Sequence, residues 1–276
     1  MPKVRVANID IYYEMRGDGE PLVLIMGLGG GSSMWWRQVA FFSPEYQVIV
    51  YDSRGVGRTD KPGMPYSMDM LAGDAAGLLE RLGIAMAHVY GVSMGGMVAQ
   101  ELALRYPKLV SSLILGATTC GGGHAVIAPK ETLQKLFSIM TLSPDEAVKV
   151  STSVTFSAAF VERHPEKINE WLIKGAESPP SPLGFQRQAE AVAGFDTYDR
   201  LQQIRVPTLI LAGTADQLIP TENSRILASR IPNAKLVLFE GAGHGYLWEA
   251  EDEANRTVRD FLRQHSKPPR TRQKGS

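Results

Sequence analysis

Short apolar runs with no polar face recur through the first 120 residues of this 276-residue chain, with helical stretches between them. The runs fall at residues 22–26, 47–51, 88–91 and 109–115. A run of this kind suits a strand buried on both faces, and such a strand needs helices on either side of its sheet. Helical periodicity falls at residues 67–82, opened by a capping Ser67, and at 94–106, closed by Pro107. Strand alternating with helix predicts an α/β fold with a doubly wound sheet. The alternating residues 4–14 predict one exposed antiparallel strand, turned by Gly17 and Gly19.

The pattern breaks between about residues 120 and 201. Helices are expected at 128–141, 144–153, 165–173 and 185–193, with no buried strand among them. The segment is too long for a loop within a compact fold, so it reads as a helical lid inserted into the sheet domain. Alternation resumes over 207–211, 224–230 and 235–239 and ends in a helix over 251–264. The expected organisation is a core domain at 1–119 and 202–265, a lid at 120–201 and a basic tail at 266–276. The tail holds four basic residues and nothing to bury. The whole chain balances 29 basic against 29 acidic residues, so no broad positive field attracts nucleic acid. The lone Cys120 excludes an internal disulfide and suits a reducing, cytoplasmic setting. No apolar stretch is long enough to span a membrane, and residues 1–17 lack the apolar core of a secretory signal. A monomer and a homo-oligomer fit this sequence equally.

Gly91-Val92-Ser93-Met94-Gly95 fits G-x-S-x-G between a buried run and a helix. That context places a serine on a tight strand-to-helix turn, with its hydroxyl pushed toward substrate. A serine hydroxyl needs a base to attack at neutral pH. Of five histidines, His244 alone follows a buried run within a glycine-rich loop, residues 240–245. Loops at the carboxyl ends of such strands line the crevice of an α/β sheet. Asp216, in the loop after the run at 207–211, is the acid that would orient His244, with Asp196 and Asp199 as rivals. An oxyanion needs at least two donors. The N–H of Met94 is one. The other is assigned to Leu28, in the loop Gly27-Leu28-Gly29-Gly30-Gly31. That loop does not meet G-x-G-x-x-G, so no dinucleotide cofactor is expected, and acyl transfer to water requires neither cofactor nor metal. The charged loop at residues 51–58 is read as support for its neighbours.

With these residues in place, the chain resembles the α/β-hydrolase superfamily over nearly its whole length. More closely it is similar to small bacterial esterases and lactonases, the 3-oxoadipate enol-lactonase, non-haem haloperoxidase and aclacinomycin methylesterase group. The resemblance implies an eight-stranded, mostly parallel sheet flanked by helices, with a helical cap after the sixth strand. It carries a catalytic triad onto Ser93, Asp216 and His244, and oxyanion donors onto Leu28 and Met94. One departure stands out. The family's oxyanion loop usually begins His-Gly, whereas this chain has Met26-Gly27, so the usual side-chain support of that loop is expected to be missing.

A pocket is expected from Trp35, Trp36, Met97, Phe137, Phe156, Leu218, Ile219 and Tyr246. Their apolar character suggests an uncharged small ester as substrate. Lys174 and Arg187 in the lid would meet a carboxylate if they face inward, which keeps lactone and enol-lactone hydrolysis open. Carbon–carbon bond hydrolysis uses the same triad. A non-catalytic small-molecule binding protein is the alternative of a different class.

Overall fold

In the computed structural model, residues 2–139 and 141–266 are described. Eight strands form one sheet: β1 (Lys3–Val6), β2 (Ile9–Arg16), β3 (Glu20–Ile25), β4 (Tyr46–Tyr51), β5 (Ala87–Val92), β6 (Val110–Gly116), β7 (Thr208–Gly213) and β8 (Lys235–Phe239). Their spatial order is β1-β2-β4-β3-β5-β6-β7-β8. The β1–β2 and β2–β4 pairs are antiparallel, and every later pair is parallel.

The apolar runs work as two-faced strands. In β3, Val23 and Ile25 join the core on one side, and Leu22 and Leu24 the core on the other. In β6, Leu113 and Leu115 face the first side and Ile114 the second. Each such aliphatic side chain, fully buried, stabilises the fold by about 1.5–3 kcal/mol. On the first side lie α2 (Met68–Arg81) and α3 (Met94–Arg105). On the second lie α1 (Trp36–Phe42) and α11 (Glu251–His265). Ser67 caps α2 through its hydroxyl, as its place before the periodic stretch suggested.

Residues 4–14 are corrected from one strand to a hairpin. β1 and β2 pair through Val6 opposite Ile9, so Ala7 and Asn8 make the turn, Ala7 with φ +47°. The apolar positions switch from even (Val4, Val6) to odd (Ile9, Ile11) across that turn, and the switch was its trace in the sequence.

The cap lies between β6 and β7. It comprises α4 (Lys130–Ser138), α5 (Pro144–Thr155), α6 (Ala158–Arg163), α7 (Pro165–Glu177) and α8 (Pro182–Ala193). Sequence periodicity missed α6, a single short element that Ser157 caps by accepting from the Phe160 N–H. After the cap come α9 (Glu222–Arg230) and the one-turn α10 (Tyr246–Glu249). Among the described residues no helix is long and apolar enough to cross a membrane. The basic tail, residues 267–276, lies outside the described residues.

Candidate active site

β3, β5, β7 and β8 run parallel, so the loops after them emerge at one end of the sheet. Those loops carry Gly27–Gly31, Ser93, Asp216 and His244 respectively. The chain therefore gathers four distant segments at the carboxyl edge of the strands, where α/β sheets open a crevice.

Ser93 stands between β5 and α3 with φ +57° and ψ −124°. A non-glycine residue in that region stores roughly 1–3 kcal/mol of strain. Surrounding contacts impose it. The Ser93 N–H donates to the Gly116 carbonyl at 2.9 Å. The Thr118 hydroxyl donates to the Ser93 carbonyl at 2.7 Å. The turn also needs bare backbone beside it, because a Cβ on Gly91 would stand 2.1 Å from the Gly95 carbonyl oxygen.

Asp216 and His244 are joined. His244 Nδ1 lies 2.8 Å from Asp216 Oδ2. The other carboxylate oxygen accepts from the N–H groups of Leu218 (2.9 Å) and Ile219 (2.8 Å), so the carboxylate cannot rotate freely. A proton donated from Nδ1 to Asp216 leaves Nε2 as the basic nitrogen. The loops are bound to each other as well: Ala215 N–H donates to the Ala242 carbonyl at 2.9 Å. Among the described residues the Ser93 hydroxyl makes no hydrogen bond, so the imidazole is paired with its acid and not with the serine. The rival Asp196 instead accepts from the Tyr198 N–H at 3.0 Å.

Glu249, unnoticed in the sequence, fixes the histidine loop. Its carboxylate accepts from the N–H of Gly243 (2.9 Å) and of Ser157 in the cap (3.0 Å), and from the Ser157 hydroxyl. The only sequence signal was its place on the helical turn that follows His244.

Met94 opens α3, so its N–H has no acceptor within the helix. Leu28 lies in a turn closed by Gly30 N–H to Gly27 carbonyl at 3.1 Å. Gly27 packs against the serine: a Cβ there would stand 3.0 Å from Ser93 Cβ. Met26 stands where the family's loop usually begins with a histidine, and the loop is steadied instead from two other directions. The buried Asp52 accepts through Oδ1 from both the N–H and the hydroxyl of Ser32, each at 2.7 Å, and through Oδ2 from the Arg58 N–H at 2.8 Å. Gln188 of α8 accepts from the Gly29 N–H at 2.9 Å. Arg54 turns away from the crevice into a two-pronged, buried ion pair with Asp74, both contacts 2.7 Å.

The expected pocket residues divide. Trp35 and Tyr246 are fully buried core residues rather than lining of an open pocket. Trp35 meets Tyr90 in a tilted ring contact with centroids 5.1 Å apart, and the Tyr246 hydroxyl meets that of Tyr90 at 2.8 Å. Burial first, and Tyr90 next, push the Tyr246 phenol well above the usual tyrosine range, so it stays protonated. Trp36 is half-buried, donating to Glu170 at 2.9 Å and stacking on Trp248. Met97 belongs to the core beside α2. Phe156 packs against Phe160, Trp171 and Trp248, with its ring against Gly245 beside His244. Leu218 and Ile219 are half-buried next to Asp216. Phe137 is 60% exposed and faces a groove of about 620 Å³ that it shares with Phe185, Leu183 and Ala189 of α8. Lys174 pairs with Glu177 and Arg187 with Glu190, each at 2.7 Å, so both lid cations are neutralised locally. Among the described residues no group of three or more His, Cys, Asp or Glu side chains could hold a metal ion.

Residues 20–251 match the family model described as the alpha/beta hydrolase fold. A relative from Azorhizobium caulinodans named for carbamate hydrolysis, RutD, is 29% identical, covering 95% of this chain and 98% of its own. The crystal structure of an enol-lactonase from Burkholderia xenovorans superposes with a TM-score of 0.84 at 29% identity, over 95% of this chain and all of that one. A thermophilic esterase from Thermogutta terrifontis superposes with a TM-score of 0.83 at 27% identity, over 96% of this chain and all of that one.

Proposed function

The chain belongs to the α/β-hydrolase fold family and is a hydrolase of the esterase and lactonase type; within that type we propose a serine esterase that cleaves small, uncharged carboxylic esters through an acyl-enzyme. The observation that carries this reading is the Asp216–His244 pair, 2.8 Å apart, at the same sheet edge as the strained Ser93 turn.

His244 Nε2 takes the Ser93 proton as the hydroxyl oxygen attacks the ester carbonyl. Asp216 holds the imidazole in the tautomer that leaves Nε2 basic, and then stabilises the imidazolium. The N–H groups of Leu28 and Met94 receive the negative charge that builds on the carbonyl oxygen. His244 returns the proton to the departing alcohol. Water enters, loses a proton to the same nitrogen, and releases the acid from Ser93. Every proton taken is given back, and the enzyme returns to its starting state.

The pairing of Lys174 and Arg187 with neighbouring glutamates favours an uncharged substrate over an anionic enol-lactone. Lactones are a second substrate class for the same steps, because a lactone is an ester whose leaving alcohol stays tethered. The test is hydrolysis of p-nitrophenyl acetate and butyrate by the parent chain, Ser93→Ala and His244→Ala. Turnover should fall by roughly 10³-fold or more in both variants. A fluorophosphonate should add once, at Ser93. Turnover unchanged by Ser93→Ala would remove the nucleophile assignment. Absence of both ester turnover and labelling would count against the serine-esterase proposal and favour the non-catalytic binding reading.

A further inference from the structure

A primary amide buried in a helix–core contact costs free energy unless both of its ends are paired. Gln188 of α8 is fully buried and both ends are paired. Its Oε1 accepts from the Gly29 N–H at 2.9 Å, and its Nε2 donates to the Arg54 carbonyl at 2.9 Å. The partners fix the amide's orientation, since a backbone N–H only donates and a carbonyl only accepts. One lid side chain thus ties the glycine loop after β3 to the charged loop after β4.

The loop it holds is a turn of four residues, Gly27 to Gly30, closed by the 3.1 Å bond between the outer pair. Gly29, the third residue, has φ +71°, which marks the type II form of turn. Conversion to type I would flip the middle peptide and swing the Gly29 N–H away from Gln188. Leu28 sits between two pinned peptides. The Gly27 carbonyl is held by Gly30, and the Gly29 amide by Gln188. The Leu28 N–H shares a plane with the Gly27 carbonyl and points the opposite way, out of the turn. The same helix adds a steric stop three residues earlier: a Cβ on Gly29 would stand 2.9 Å from the Phe185 ring. The far anchor is firm as well, because the Arg54 side chain is locked on Asp74.

We infer that Gln188 is a positioning residue for the oxyanion site, a lid amide that holds the Leu28 N–H in its working direction. This rests on the reading of Leu28 as an oxyanion donor and of Ser93 as the nucleophile. The cap then does more than cover the crevice, since part of the machinery is aligned only while α8 is docked.

The experiment measures p-nitrophenyl butyrate turnover and butylboronic acid affinity for the full chain, Gln188→Met, Gln188→Glu and Ser93→Ala. Butylboronic acid adds to the serine and mimics the tetrahedral intermediate, so its affinity reports the donors directly. In Gln188→Met, kcat should fall roughly 10- to 100-fold while KM moves less than about threefold, and boronate affinity should fall in parallel with kcat. Gln188→Glu keeps the acceptor for Gly29, so its kcat should stay within about fivefold of the parent. Gln188→Met strands two buried backbone groups, so Gln188→Asn, one methylene short of the loop, runs beside it and carries the test if the first does not fold. Parent-level kcat in a folded Gln188→Met, or a change in KM alone, overturns the inference. So does an equal loss in Gln188→Glu and Gln188→Met at matched thermal midpoints. If Ser93→Ala hydrolyses the ester at the parent rate, the nucleophile assignment fails and takes this inference with it. A parent-like Gln188→Met beside an inactive Ser93→Ala overturns the inference alone.

Discussion

Half-buried Ser93 holds its place on the turn at the cost of backbone strain, at φ +57° in a region that glycine alone occupies without penalty. Ser93→Gly should therefore be more stable than Ser93→Ala by about 1 kcal/mol in urea unfolding, although both lose the hydroxyl. Equal stability would mean that the turn is relaxed. At this scale the sequence was legible where a backbone feature comes with a local signature. The tight turn at Ser93 showed in its flanking glycines, and the place of His244 at the sheet edge in its glycine-rich loop. Gln188 and Glu249 did not. Gln188 meets Gly29 across 159 positions and Glu249 meets Ser157 across 92, and no local pattern encodes such a meeting. The pocket reading failed for Trp35 and Tyr246 on the same ground, because an aromatic near the site in sequence serves a core or a cavity equally well.

Elements divide by how they bury themselves. The strands were legible because a run apolar on both faces has no other home, and the lid because nothing strand-like interrupts it. α6 and α10 escaped because one or two turns carry too little periodicity to register. The amino ends of β3, β5 and β6 are stitched by a side-chain set that the site does not use. His88 Nδ1 lies 2.7 Å from the Ser112 hydroxyl, and Nε2 lies 3.3 Å from Glu20. Burial lowers the proton affinity of His88, against an opposing pull from Glu20. The unfolded chain then takes up a proton more readily than the folded one. Stability from this source is complete above about pH 6.5 and is lost as pH falls toward the lowered native value. The urea midpoint should drop between pH 7.5 and 5.5 in the parent chain, and less in His88→Gln. An identical slope in the two would assign the acid sensitivity elsewhere.

Over the whole molecule the cap is fastened unevenly. Its α7 side is bound by the aromatic group of Trp36, Phe156, Trp171 and Trp248, and by Arg37, which bridges Glu170 to Glu251 of α11. The segment leading into α8 is bound by backbone, through Gly57 N–H to the Pro179 carbonyl (3.0 Å) and Ser181 N–H to the Gly55 carbonyl (3.1 Å). α4 has little of either, with Thr132 its one buried side chain and Phe137 exposed. Elements with few buried contacts open at low free energy. Amide hydrogens of α4 should exchange at least roughly tenfold faster than those of α8, without global unfolding. Equal protection would show a cap that moves as one body. The insertion of that cap between β6 and β7 also sets an order of events in time. A polypeptide growing on the ribosome completes β6 with Leu28, Ser93 and Met94 already made, and with Asp216 and His244 not yet begun. On the roles proposed, the nascent chain is chemically silent until the loops after β7 and β8 have been synthesised. Ester cleavage is then a readout of completed synthesis as much as of catalysis.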